Sequence, residues 1–186
     1  DLDGNEVKSD ELFSANAVTV VNFWFTTCSP CVGELADLEA LNKQLAEKGG
    51  AVVGINSFTL DGDKTAISDA KDILTKKGVS YKNIWFDSKS EAGKFTSGLY
   101  SYPTTYVVDK NGNIVGIAHE SKKLDDSPDL FIPIETALKS VGMEICGREF
   151  SQKKPAAIKT YETPLADAID NSGNKAPKVM KGSERK

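Results

Sequence analysis

Residues 18–45 read VTVVNFWFTTCSPCVGELADLEALNKQL, and the order of textures in this stretch decides the fold. Val18 to Phe25 is almost uniformly apolar, β-branched or aromatic, as a strand buried on both faces must be. A cysteine pair, Cys28-Ser29-Pro30-Cys31, follows directly. From Cys31 to Lys48, Leu35, Leu38, Leu41 and Leu45 recur at helical spacing, and Gly49-Gly50 supplies the stop. The order is therefore strand, cysteine pair, helix. A sulfur at a helix start meets unpaired backbone N–H groups and the positive end of the helix dipole. Both favour thiolate, so the Cys28 thiol is expected to ionise below the roughly 8.5 of a free cysteine. Cys31, one turn later, is near enough to attack a mixed disulfide on Cys28. Pro30 sits where a missing N–H costs nothing. Cys28 reads as the exposed nucleophile and Cys31 as the more buried resolving thiol.

Downstream, Ala51 to Phe58 is a second buried strand. Thr65 to Lys77 carries Ile67, Ala70, Ile73 and Leu74 on one helical face and ends at Gly78. Tyr81 to Phe86 reads as a short strand, and Ser90 to Leu99 as a weaker helix broken by Gly93 and Gly98. Thr104 to Asp109 and Ile114 to Ala118 flank Asn111-Gly112-Asn113, a strong hairpin signal. Ser127-Pro128-Asp129 opens a last helix, Leu130 to Val141. Upstream, Asp3-Gly4-Asn5 before Val7 reads as a hairpin turn. Alternating strands and helices with one late hairpin imply an α/β fold, a mixed central sheet with helices on both faces. Residues 1–147 form this domain. Residues 148–186 are a polar Lys/Pro-rich extension, a solvated tail by composition, in which Tyr161, Leu165 and Ile169 could make one short docking helix.

Composition narrows the function. Of 186 residues, 39% are apolar and 27% charged, which suits a globular domain with a real core. The net charge of −4 and the lack of a basic stripe argue against nucleic acid as a partner. No apolar run reaches the roughly 18–20 residues of a membrane span. Three cysteines are too few for a disulfide-stapled scaffold, and a close pair plus the lone Cys146 suggests redox chemistry instead.

The stretch Asn22-Phe23-Trp24-Phe25-Thr26-Thr27-Cys28-Ser29-Pro30-Cys31, with Glu34 after it, resembles the active-site segment of thioredoxin-like proteins. Tyr102-Pro103-Thr104-Thr105-Tyr106-Val107-Val108-Asp109 resembles the segment around their cis-proline. The nearest group is the TlpA/ResA-like extracytoplasmic thiol–disulfide oxidoreductases, whose inserted helix and strand match residues 65–86. The resemblance runs from about Asp3 to Val141. It implies a thioredoxin-like fold, a Cys28–Cys31 dithiol/disulfide couple as the only redox centre with no other cofactor and no metal, and protein disulfides or dithiols as substrates. It also implies an electron-donor protein, an extracytoplasmic setting, and a possible export signal or membrane anchor outside this sequence. Local sequence alone reads Pro103 as an ordinary trans proline opening a strand; the resemblance makes it a cis-proline facing the cysteines. Tyr102 and Thr104 on either side would then help shape an edge where a substrate strand pairs. Glu34 falls where the group carries an acid that handles protons and raises a neighbouring thiol's pKa; read locally it complements the helix dipole. Asn22 replaces the buried acid of thioredoxin, and Thr27 the Trp that many relatives place before the first cysteine. Trp24 packs beside the site. Pro30, shared with thioredoxin, favours a reductant over an oxidant.

Four rival readings compete with this one, the first a purely structural cysteine pair, which so short and strained a loop makes a poor staple. A zinc site needs four ligands, and beyond the pair the sequence offers Cys146 and His119 but no second close pair. A peroxiredoxin needs Thr three residues before the cysteine and a nearby Arg; here Phe25 holds that place, and the only arginines are Arg148 and Arg185. A binding module or metallochaperone of the same fold would space its cysteines further apart and add a ligand His. His119 reads as an edge residue and Cys146 as a bystander.

Overall fold

The computed structural model describes residues 1–57, 62–119, 131–143 and 145. Its elements run α1 (Ser9–Ser14), β1 (Val18–Trp24), α2 (Ser29–Ala46), β2 (Ala51–Asn56), α3 (Lys64–Lys76), β3 (Asn83–Trp85), α4 (Glu91–Ser97), β4 (Thr104–Asp109), β5 (Ile114–His119) and α5 (Phe131–Ser140). The sheet order is β3-β2-β1-β4-β5. β1 runs parallel to β2, and β2 to β3. β4 is antiparallel to both β1 and β5. A strand with neighbours on both sides and helices on both faces is covered along its whole length, so every residue of β1 is buried, the polar Thr19 and Asn22 included.

Side chains alternate across the sheet and sort the core into two layers. Val18 and Val20 meet Leu38, Leu41 and Leu45 of α2 and Ile134, Ala137 and Leu138 of α5. Val21 and Phe23 face the other way, toward Phe13 of α1 and Phe95 of α4. Phe23 touches Phe95 and Tyr106 edge-on, with ring centroids 6.2 and 5.2 Å apart. A third cluster at the carboxyl end of β1 joins Trp24, Cys28, Cys31 and Leu35 to Ala70 and Leu74 of α3.

The expected order of elements holds from β1 to β5, with three differences. α2 begins at Ser29, before Cys31, because Cys28 caps it. No strand directly follows the Asp3-Gly4-Asn5 turn. The Asp1 carboxylate accepts from the Asp3 and Asn5 amides, closing a local turn, and the chain then enters α1, whose Phe13 is buried in the core. Gly93 does not break α4; it lies inside the helix, where a Cβ would sit 2.0 Å from the Asp87 carbonyl oxygen. The expected start of the last helix at 127–129, the short docking helix at 161–169 and Cys146 fall outside the described residues.

Candidate active site

The site forms where β1 gives way to α2, in the position the parallel sheet leaves open at its carboxyl end. The Cys28 amide closes a tight turn on the Phe25 carbonyl at 3.0 Å. Cys28 then takes an extended conformation as the N-cap of α2, and its Sγ accepts the Cys31 N–H at 3.3 Å. Pro30 occupies the first helical turn, as its fixed φ and missing donor suit. Cys28 and Cys31 are joined by a disulfide, their Cα atoms 5.3 Å apart. Cys28 keeps 6% of its surface and Cys31 none. The expected ordering of access is present, but Cys28 offers only a sliver of sulfur. Exposed Thr27, Ser29 and Pro30 surround it.

Below the disulfide lies a buried polar group. The Asn22 side-chain amide donates to the Glu34 carboxylate at 2.7 Å and to the Thr105 hydroxyl at 3.0 Å. Glu34 is one helical turn beyond Cys31, so it shares the face of α2 that looks onto β1. Asn22 projects from that same side of β1 as Trp24. The sheet register sets Thr105 directly opposite Asn22. Strand and helix thus bring together an amide, a hydroxyl and a carboxylate that the sequence separates by up to 83 positions.

Trp24 is fully buried against the cysteines, and its indole N–H donates to the Asn83 side-chain oxygen at 2.9 Å. Asn83 in turn donates to the Tyr81 carbonyl at 3.1 Å. The Trp24–Asn83 bond crosses Gly54, which pairs with Asn22 on one side and Asn83 on the other. A Cβ there would lie 2.0 Å from the Asn83 oxygen. Sequence reading missed both Asn83 and Gly54. The available signal was a glycine inside the apolar run AVVGIN, which marks a close approach.

The far wall comes from the segment before β4. Phe23 pairs with Thr104, so continuing the antiparallel register sets Trp24 near Pro103 and Phe25 near Tyr102. The Phe25 and Tyr102 rings meet edge-on with centroids 5.2 Å apart, and Tyr102 packs on the cluster that holds both cysteines. The Tyr102–Pro103 peptide bond is cis, and Pro103 is buried. The Tyr102 hydroxyl donates to the Thr96 carbonyl of α4. Burial pushes the Tyr102 phenol up to about 12, with a hydrogen bond to Ser57 acting the other way. The Thr104 hydroxyl donates to the Ser101 carbonyl at 2.7 Å, so its side chain fastens the loop. His119 ends β5 in register with Thr104. The pair, Asn22, Trp24, Glu34, Tyr102 and Pro103 therefore converge, while Thr27 and Pro30 line the rim. Among the described residues no group of three or more His, Cys, Asp or Glu side chains is arranged to hold a metal ion.

The chain is similar to several known proteins. The thiol-disulfide oxidoreductase ResA of Bacillus thuringiensis is 29% identical over 118 residues, covering 62% of this chain and 61% of that protein. The thiol:disulfide interchange protein DsbE of Haemophilus influenzae is 31% identical over 110 residues, 59% of this chain and 55% of that one. The chain thus spans less than two thirds of the length of these curated relatives. The thioredoxin domain of a thiol-disulfide oxidoreductase from Bacteroides vulgatus superposes with a TM-score of 0.56 at 22% identity, covering 76% of this chain and 89% of that structure. The fold is thioredoxin-like. The AhpC/TSA family model matches residues 1–117. That match takes in well over half of the sequence, including both cysteines and the cis-proline segment, and the chain belongs to the AhpC/TSA family.

Proposed function

We propose that this domain is a thiol–disulfide oxidoreductase that reduces or exchanges disulfides in other proteins. The observation that carries the reading is the Cys28–Cys31 disulfide at the first turn of α2, with the Cys28 sulfur already accepting a backbone N–H of that turn. In the reduced protein the Cys28 thiolate attacks a substrate disulfide. One S–S bond breaks as another forms, and the released substrate sulfur leaves as thiolate and takes up a proton. Cys31, after losing its proton, attacks Cys28 Sγ and expels the second substrate sulfur. Two electrons and two protons pass to the substrate, and the internal disulfide is restored. The couple itself carries the electrons, so no bound cofactor is needed. Glu34, beside Cys31 on the inner face of α2, is the group that takes and returns the Cys31 proton. Tyr102, Pro103 and Thr104 form the wall along which a substrate chain lies.

Turnover requires a dithiol donor protein, and the setting we propose is extracytoplasmic, following the TlpA/ResA-like resemblance. No described helix is long and apolar enough to cross a membrane. Peroxide reduction is disfavoured, because the hydroxyl that such chemistry wants three residues before the cysteine is replaced by Phe25, whose ring packs on Tyr102.

The test is direct. Reduced protein mixed with insulin is expected to oxidise and to cleave the hormone's interchain disulfides. Cys28→Ser abolishes this, and Cys31→Ser accumulates a mixed disulfide on Cys28 that mass spectrometry reads. Full activity in Cys28→Ser would remove the mechanism. The reduction potential of the couple then separates a reductant, near the −270 mV of thioredoxin, from an oxidant near −120 mV, values of about that size.

A further inference from the structure

Tyr100 stands almost wholly in solvent, 94% exposed. Among the described residues, only Val141 is another exposed large hydrophobic side chain. A tyrosine at a loose loop tip ordinarily folds back onto the surface and hides part of its ring. The Tyr100 ring does not, and the chain is fastened on both sides of it. Before it, the Gly98 amide donates to the Lys94 and Phe95 carbonyls and the Leu99 amide to the Thr96 carbonyl, closing the end of α4. After it, the Ser101 carbonyl accepts the Thr104 hydroxyl, and the Tyr102 hydroxyl is tied to Thr96. The exposed ring thus sits on a segment tied down on either side.

Its position gives the exposure a use. Two residues of chain reach about 7 Å at most, so the Tyr100 backbone lies within that distance of Tyr102. Tyr102 itself packs on Phe25 and on the cysteine cluster. A protein partner that brings a disulfide to Cys28 covers about 800 Å2 of this surface, a disc roughly 16 Å in radius. Tyr100, two residues from the Tyr102 that packs on the cysteine cluster, is close enough for such a footprint to reach it. The other side of the footprint, Thr27, Ser29 and Pro30, offers no aromatic ring. A small thiol or disulfide covers far less surface than that footprint.

We infer that Tyr100 is a specificity-determining residue, the aromatic contact by which the domain holds a polypeptide substrate through an apolar surface beside the partner's cysteine. The inference rests on the oxidoreductase reading and deepens it. Exposed tyrosines suit this work, since they bring a large contact area with little rotamer entropy to lose, and aromatic anchors dominate interface energetics.

Single-turnover oxidation of the reduced protein, followed by fluorescence or thiol titration, supplies the test. Second-order rates are measured with insulin and with glutathione disulfide, and the quantity read is their ratio. Tyr100→Ser is expected to lower the insulin-to-glutathione ratio about five- to tenfold, the effect of losing one interface aromatic. Tyr100→Phe, which keeps the ring, restores it. Val141→Ser, which removes the other exposed apolar side chain, leaves it where it was. A ratio unmoved in Tyr100→Ser overturns the inference, and so does an equal fall in both rates, which would mean a general loosening of the loop. A wild-type protein inert to both disulfides counts instead against the oxidoreductase reading itself.

Discussion

At Gly54 a single hydrogen atom decides whether the site can be built. The glycine lets the Asn83 oxygen reach the Trp24 indole at 2.9 Å across the strand between them. Gly54→Ala would place a methyl group 2.0 Å from that oxygen, with paired strands on either side holding the backbone still. The expected cost is about 2–3 kcal/mol, from overpacking together with a buried N–H left unpaired. Urea denaturation reads it, and a change in Trp24 fluorescence accompanies it. Asn83→Ala alone loses the hydrogen bond, but added to Gly54→Ala it removes the clash, so the pair should be clearly less destabilising than the sum of the two. Glu34 poses the complementary question, charge instead of volume. Glu34→Gln keeps the shape and the partnership with Asn22 while deleting the negative charge beside the cysteines. On the proposed mechanism it slows resolution of the mixed disulfide by about a hundredfold, the lower end for a general base. The thiolate absorbance of the reduced protein should titrate at lower pH, since a like charge that opposed ionisation is gone. Wild-type resolution rates in Glu34→Gln would leave Glu34 a helix-dipole residue and nothing more.

Among the elements, α4 shows how a helix remote from the sulfur shapes its surroundings. Ser90 caps it by accepting the Gly93 amide at 3.0 Å. Phe95 packs on Phe23, and the Thr96 carbonyl holds the Tyr102 hydroxyl. Ser90→Ala is expected to cost about 1 kcal/mol, the usual value of an N-cap. Gly93→Ala should cost more, about 2–3 kcal/mol, because the obstacle is the rigid Asp87–Ser88 backbone. Thermal melts of the two variants test that ranking. The same helix marks the limit of what the sequence discloses. Strand β1, the cysteine pair and α2 are legible because burial on both faces and a leucine period leave no other reading. The β4–β5 hairpin is legible because Gly112, at φ 81°, needs the residue that the turn signal supplies. Gly93 misleads because a propensity scale treats glycine as a helix breaker, whereas here a neighbouring backbone excludes any Cβ. Helix α1 goes unread because six residues carry too short a period, and its one buried anchor, Phe13, finds its partners only in the assembled core. At the site, Cys28, Cys31 and Pro103 can be picked from motif and resemblance. The Asn22–Glu34–Thr105 contact depends on register between distant strands, which spacing alone does not encode.

For the molecule as a whole, resistance to acid turns on carboxylates that fold into hydrogen-bonded places. Glu39 is buried on α2, where its oxygens accept the Ser80 amide at 2.9 Å and the Ser80 hydroxyl at 2.7 Å, with Lys43 at 3.6 Å. It thereby ties α2 to the segment that leads from α3 into β3. Burial works to raise its pKa, but the Ser80 bonds, Lys43 and the Tyr81 amide together hold it below the ordinary carboxylate value. Asp109 behaves alike: burial opposes ionisation, and the Asn113 and Asn111 donors of the β4–β5 turn outweigh it. A group whose pKa is lower in the folded state binds fewer protons there than in the unfolded chain. Its stabilisation is complete above the unfolded value, about 4.3 for a glutamate and 3.9 for an aspartate, and is lost as pH falls through the folded one. The melting temperature is therefore expected to stay level with respect to these groups from pH 7 to about 5 and to drop below about 4.5. Glu39→Gln separates this from general acid expansion. At pH 7 it should cost about 1–2 kcal/mol, because a neutral amide replaces charge-assisted bonds to Ser80. At acid pH, below its lowered folded-state pKa, the wild-type carboxylate has itself taken up its proton and the difference between the two proteins should shrink. Denaturant titrations at the two pH values measure both numbers. A gap that stayed constant between them would mean that Glu39 contributes through packing, with its charge irrelevant to how the sheet and α2 are held together.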